Sequence, residues 1–263
     1  MNDIILKIIE YKIHELESAA AVTPLATLRE RVAAQKLRAP AFLPAIARPD
    51  QLAFIYEIKR ASVVRGLLTV GFNPLRIAKA AYGEGVHALS VTVEERYHMG
   101  SPKTVDVIHD NLFIPILYSD YVIDKYQVYL AKNLGASALR LLPAILSERS
   151  FRELFDLCKE LDILPVADCR AEDDLGRALR QKPAAIMING RSLHSLAIDL
   201  EGAKRLFKRA EAGKSLIIAA NCFTSPEEAI AVKGLGATAV LVGEECGAGF
   251  IAKTRALEQE VTQ

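Results

Sequence analysis

Residues 138–169 run ALRLLPAILSERSFRELFDLCKELDILPVADC. A short apolar run, 138–142, is followed by the helical pattern SFRELFDLCKELD and by a second apolar run, 164–169. Two short apolar strands joined by a helix form a β-α-β unit, whose parallel strands are covered on both faces. The same unit recurs along the chain. Further apolar runs lie at 54–56, 88–93, 113–118, 184–188, 216–220 and 238–242, eight in all with the first two. Between them stand NPLRIAKAAYGEG, DKYQVYLAKNLGA, EDDLGRALRQ, LEGAKRLFKRAEAGK and SPEEAIAVKGLGA. Several of these open on Asp, Asn or Ser and close on Gly, the ordinary start and stop signals of helices. Asn73-Pro74 and Ser225-Pro226 put proline in the first turn, where its missing donor costs nothing. LGA at 134–136 and 235–237, and KPA at 182–184, each end a helix and begin a strand at once.

Eight strand–helix units predict an α/β fold, the (β/α)₈ TIM barrel. A doubly wound sheet would need a glycine-rich turn after its first strand, and IKRASVVRG is a poor match. Residues 1–48 precede the first strand. DIILKIIEYKIHELESAA is an amphipathic helix and LATLRERVAAQ a second, expected as an N-terminal helical extension packed on a single barrel domain that spans 1–263.

Composition narrows the function classes. The 263 residues are 51% hydrophobic and 25% charged, with a net charge of +1, so no basic surplus points to nucleic acid. No apolar stretch of about 18 residues suggests a membrane span, and MNDIILKIIEYKIHELE is too charged for a signal peptide. Cys158, Cys169, Cys222 and Cys246 form no CxxC pair, and no two histidines have ligand spacing. A cytoplasmic, reduced protein without metal or cofactor is expected.

Chemistry in such a barrel sits where strands end at their C-terminal side. Strand one ends in Glu57 and Lys59, two residues apart and of one parity, so both can point inward. A structural ion pair and a substrate-binding lysine with its partner carboxylate are the two readings of that pair. His98 follows strand two, and Ser119 and Tyr121 lie at the end of strand three. Arg140 sits inside the apolar run of strand four. Facing inward it needs an anion; facing the helices it snorkels outward. Asp168 and Arg170 end strand five, Asn189 and Arg191 strand six, Asn221 and Cys222 strand seven. LVGEECGAGF, with Leu241, Gly243 and Glu244, stands where such barrels often hold phosphate.

These segments resemble the indole-3-glycerol-phosphate synthase family along nearly the whole chain. EIKRAS resembles its first-strand signature, usually followed by Pro-Ser-x-Gly where this chain has VVRG. ALSVTVEERYHMGS, IPILYSDYVIDKYQVYLAKNLGASA, INGRSL and GATAVLVGE resemble its second, third, sixth and eighth units, and ILKIIEYKIHELE its extra N-terminal helix. The resemblance implies a carboxy-lyase that closes an indole ring on 1-(2-carboxyphenylamino)-1-deoxyribulose 5-phosphate, losing carbon dioxide and water. It implies Lys59 as the strand-one lysine, Glu57 as its carboxylate partner, Asn189 and Arg191 in the site, and Ser62 near phosphate.

Other positions depart from the family pattern. Ser119-Asp120-Tyr121 replaces Lys-Asp-Phe, whose lysine is a key catalytic acid. Asp168 replaces a catalytic glutamate, and Ala220-Asn221-Cys222-Phe223 replaces Glu-Ser-Gly-Ile. His98 replaces a phenylalanine, and Arg140 a leucine. Three functions follow: a slow or altered synthase-type lyase, a relative with another aryl-amine or sugar-phosphate substrate, or a ligand-binding protein without catalysis. The expected partner is a phosphorylated small molecule, with the chain a monomer or weak homodimer.

Overall fold

The computed structural model describes residues 1–35, 39–210, 213–243, 246–247 and 249–262. Eight parallel strands close into one barrel. They are β1 (Ala53–Ile58), β2 (Ala88–Thr92), β3 (Ile116–Ser119), β4 (Ala138–Leu141), β5 (Leu164–Cys169), β6 (Ala185–Asn189), β7 (Leu216–Ala220) and β8 (Ala239–Val242). Each strand pairs with the next, and β8 returns to β1 with Ala53 opposite Ala239. A small antiparallel ribbon, Ala61–Ser62 with Gly66–Leu67, folds over the end of β1.

Side-chain alternation sorts every strand between two cores. Phe54, Leu89, Val91, Ile116, Leu139, Ile186 and Val240 face outward into the helix layer. Ala53, Ile55, Ala88, Leu117, Ala138, Val166, Met187 and Ile218 face inward and fill the barrel. The same inward parity, followed one step further toward the C-terminal ends, reaches Glu57, Ser90, Thr92, Ser119, Arg140, Asp168 and Asn189. The lower barrel is therefore apolar and its upper layer polar, so the charges stand where solvent and ligands reach them.

The extension contains three helices: α1 (Asp3–Val22), α2 (Leu25–Ala34) and the short α3 (Phe42–Ile46). Phe42 and Ile46 of α3 join the inner core and plug the barrel at the N-terminal ends of its strands. Ile5 and Ile8 of α1 pack at the opposite end, against Tyr121, Leu142 and Leu193 of the loops around the mouth. Asn2 caps α1 and ties it to the same loops, donating its N–H to Leu193 O (3.0 Å). Two helices were expected here; α3 is the addition.

The barrel helices are α4 (Pro74–Gly83), α5 (Lys103–Asn111), α6 (Lys125–Asn133), α7 (Glu148–Glu160), α8 (Glu172–Arg180), α9 (Leu200–Ala210), α10 (Pro226–Gly234) and α11 (Phe250–Thr262). The expected prolines stand at the first turns of α4 and α10, behind capping Asn73 and Ser225. α5 and α11 complete the eight units, although no helical pattern was read over their residues. The strand expected from residue 113 begins only at Ile116. Phe113 is 80% exposed, and Pro115 has no N–H to give to a ladder, its carbonyl alone accepting the N–H of Leu89 (2.9 Å), so the strand starts after them. No helix among the described residues is long and apolar enough to cross a membrane.

Candidate active site

One cleft opens at the C-terminal ends of the strands. Glu57, Lys59, Thr92, His98, Tyr121 and Arg140 line one side of it. Arg170, Asn189, Arg191, Asn221 and Leu241 line the other, with Ser62, Arg65, Phe223 and Thr224 toward the rim. Glu57 and Lys59 point into it together, as their shared parity predicts, and form an ion pair with each other. The second oxygen of Glu57 accepts from Thr92 Oγ1 (3.2 Å). Burial alone would raise the Glu57 carboxyl. The Lys59 ammonium, with Arg140 and His98 nearby, outweighs it and holds the group below the usual carboxylate range. Glu57 is thus ionised beside a lysine that can give or retake a proton.

His98 is fixed from behind. The loop after β2 wraps round the Glu94 carboxylate, which accepts the N–H groups of Arg96 (2.9 Å), Tyr97 (2.8 Å) and His98 (2.7 Å). The same carboxylate bonds His98 Nδ1 at 2.9 Å. Burial pushes Glu94 up, but the His98 ring and the backbone donors bring it down to about 2. A permanently ionised Glu94 fixes the proton on Nδ1 and leaves Nε2, which has no partner among the described residues, for the cleft. Tyr121 lies beside the imidazole, ring centroids 6.1 Å apart. Burial keeps its phenol above the ordinary value, against the pull of Arg170 and Arg140.

A second network centres on Asp168, which is 1% exposed and does not itself line the cleft. Arg170 covers it with two donors, Nε (3.2 Å) and Nη2 (2.9 Å), and gives Nη1 to Arg191 O (3.1 Å). Asn189 Nδ2 reaches the same carboxylate at 3.3 Å. Asn189 Oδ1 in turn accepts from Arg191 N (3.1 Å) and Asn221 Nδ2 (3.0 Å). The ends of β6 and β7 approach closely enough for this because residue 190 is glycine. A Cβ there would stand 2.3 Å from Asn221 O. Asn221 itself holds φ 51°, a left-handed value that asparagine tolerates.

The structure therefore brings Glu57, Lys59, Ser62, His98, Tyr121, Arg140, Asn189, Arg191, Asn221 and Leu241 to one cleft. Four other expected site residues stand outside the cleft lining. Ser119 points inward but is fully buried, bonded to Ser90 Oγ at 2.9 Å, and lies beneath the lining rather than in it. Asp168 sits behind Arg170 as an anchor. Cys222 is buried, its thiol donating to Ala220 O (3.1 Å), and burial raises it to about 11. Gly243 is buried outside the lining. Glu244 lies outside the described residues. Arg65 and Thr92 are participants that the sequence did not single out, while Arg170 and Glu94 were strand-end candidates without an assigned role. For Arg170 and Glu94 the signal was only a place just past a strand end. Among the described residues no group of three His, Cys, Asp or Glu side chains could hold a metal ion.

A family model described as "Indole-3-glycerol phosphate synthase" matches residues 5–250. A protein of that name from Roseiflexus sp. is 32% identical over 254 residues, covering 93% of both chains. Those from Legionella pneumophila (30% over 244 residues, 93% of both) and Oceanobacillus iheyensis (32% over 203 residues, 77% of this chain and 78% of that one) are similar. Among solved structures, a thiamine phosphate pyrophosphorylase from Pyrococcus furiosus superposes with TM-score 0.56 at 14% identity, over 81% of this chain and 98% of that one. An N-acetylmannosamine-6-phosphate 2-epimerase from Clostridium perfringens gives 0.58 at 16%, over 86% and 99%. These last two share the fold.

Proposed function

The chain belongs to the indole-3-glycerol phosphate synthase family, and we propose that its cleft performs the family's ring closure slowly, with a partly replaced set of proton-transfer groups. The reaction forms a carbon–carbon bond between the aryl ring and the ketone carbon of 1-(2-carboxyphenylamino)-1-deoxyribulose 5-phosphate. Charge develops on the ketone oxygen, which must be protonated. The carboxylate leaves as carbon dioxide and the new hydroxyl as water, which needs a second proton, while a C–H proton is surrendered to a base. A cleft that does this holds at least one acid and one base in mutual reach.

The Lys59–Glu57 pair carries this reading, since both residues reach the cleft from a single strand end as an acid–base couple. Lys59 delivers the proton to the ketone oxygen and Glu57, ionised, takes one up. Ser119 is sealed below and cannot serve as a second acid. His98, held by Glu94 with Nε2 toward the cleft, takes that part when Nε2 carries a proton as well as Nδ1, the added charge facing the Glu94 carboxylate. Slow turnover follows, because an imidazole entering from the loop of β2 replaces a lysine from β3.

Indole fluorescence on adding the substrate tests the reading. The unmodified chain is expected to turn over slowly. His98→Phe, which keeps the ring volume and removes the proton, is expected to lower kcat about 10²-fold with little change in KM. A rise in KM with kcat intact would reduce His98 to a binding contact. An indole signal no greater than that of buffer would overturn the proposed activity.

A further inference from the structure

Arg140 lines the cleft from inside the barrel wall with its donors unused among the described residues. It projects inward from β4, one inward step above Ala138, and its side chain is 11% exposed. A guanidinium has five N–H donors. Among the described residues none of them makes a hydrogen bond, and Nε is buried without a partner. Its nearest charge is Asp168, with Nε to Oδ2 at 3.9 Å, too long for a hydrogen bond. That carboxylate is already covered by Arg170 and Asn189. Arg170 and Arg191 spend donors on backbone carbonyls at 3.1 and 2.7 Å. Around Asp168 two guanidinium charges face one carboxylate, which leaves one positive charge over. A charge buried without hydrogen bonds is costly, and the cost is recovered when a ligand supplies the acceptor.

We propose that Arg140 binds a carboxylate of the ligand at the floor of the cleft, as a planar fork on a planar acid. The proposal deepens the lyase reading and rests on it for the identity of that acid: the ring carboxylate of the arylamine. Where the family resemblance places a leucine on strand four and a lysine on strand three, this chain has Arg140 and the sealed Ser119. Because a guanidinium keeps its protons, Arg140 orients the acid and leaves proton transfer to its neighbours. The specificity that follows is for aryl amines carrying an acid group over those without one.

Binding of 2-aminobenzoate and of aniline, measured by ligand-detected NMR and calorimetry, separates this from the lyase reading. The unmodified chain is expected to bind 2-aminobenzoate and to prefer it over aniline. Arg140→Leu is expected to weaken 2-aminobenzoate about 10- to 100-fold and abolish the preference, and Arg140→Lys to restore part of it. Thermal melting establishes that each variant is folded; should the leucine variant not fold, the lysine variant must still bind several-fold more weakly than arginine. Undiminished affinity in the folded leucine variant, or no binding to the unmodified chain, would overturn the proposal. Turnover of the full substrate is scored separately. Its absence alongside Arg140-dependent 2-aminobenzoate binding sinks the lyase reading and leaves the carboxylate site standing.

Discussion

Replacing Lys59 by alanine is expected to lower kcat by about 10³- to 10⁴-fold, the upper range for loss of a positioned proton-transfer group. The loss has two parts. The ammonium proposed to protonate the ketone oxygen disappears, and Glu57 loses the cation that holds its carboxyl low. Lys59→Arg separates them. Arginine keeps the charge beside Glu57 but donates protons poorly. It is expected to preserve substrate affinity within a few-fold while kcat stays at the alanine level. Recovery of kcat with arginine would mean that Lys59 acts as a point charge. Single-turnover kinetics on both variants makes the distinction.

The second large effect is on stability. Lys12 in α1 is 1% exposed, yet its ammonium lies 3.0 Å from Asp120, itself 2% exposed, and 2.8 Å from Glu15. Burial pulls the Lys12 pKa down, and the Asp120 and Glu15 carboxylates more than compensate, so the folded value is raised. A raised lysine contributes its stability in full below its unfolded value of 10.5, and loses it as pH rises through the folded value. At neutral pH the whole contribution is present. Lys12→Met leaves Asp120 buried with only the donors of Tyr121 N (2.9 Å) and Gln127 Nε2 (3.0 Å). Breaking a buried pair from one side costs about 3–5 kcal/mol. Urea unfolding is expected to show that loss at pH 7, and the double variant Lys12→Met/Asp120→Asn to recover part of it. A single-variant loss under about 1 kcal/mol would show that the pair does not hold the extension to the barrel mouth.

The barrel was legible because its strands are short apolar runs bounded by helix caps, prolines and turn glycines, all local signals. Phe113 misled for a local reason too: an apolar residue next to a run is counted with it, although Phe113 is exposed and the strand starts only after Pro115. α3 was hidden because its five residues show no period, and its role as the plug exists only through contacts with residues far along the chain. In the site, parity correctly paired Glu57 with Lys59 and pointed Arg140 to one of two faces. Parity does not give depth. Ser119 and Asp168 have the inward parity of lining residues, yet one is tied to Ser90 and the other is roofed by Arg170. The support of His98 was equally out of reach. A glutamate four residues upstream is common, and only the folded loop shows its carboxylate collecting three backbone donors and the imidazole.

The synthase-type reaction removes the ring carboxylate and closes the indole in one turnover, so both can be counted on one sample. Substrate labelled with ¹³C in that carboxyl, incubated with the unmodified chain and followed by NMR, should release labelled carbon dioxide and bicarbonate in step with indole formation, one for one. Label retained on the arylamine after many enzyme-equivalents of time, with no indole formed, would contradict the lyase assignment.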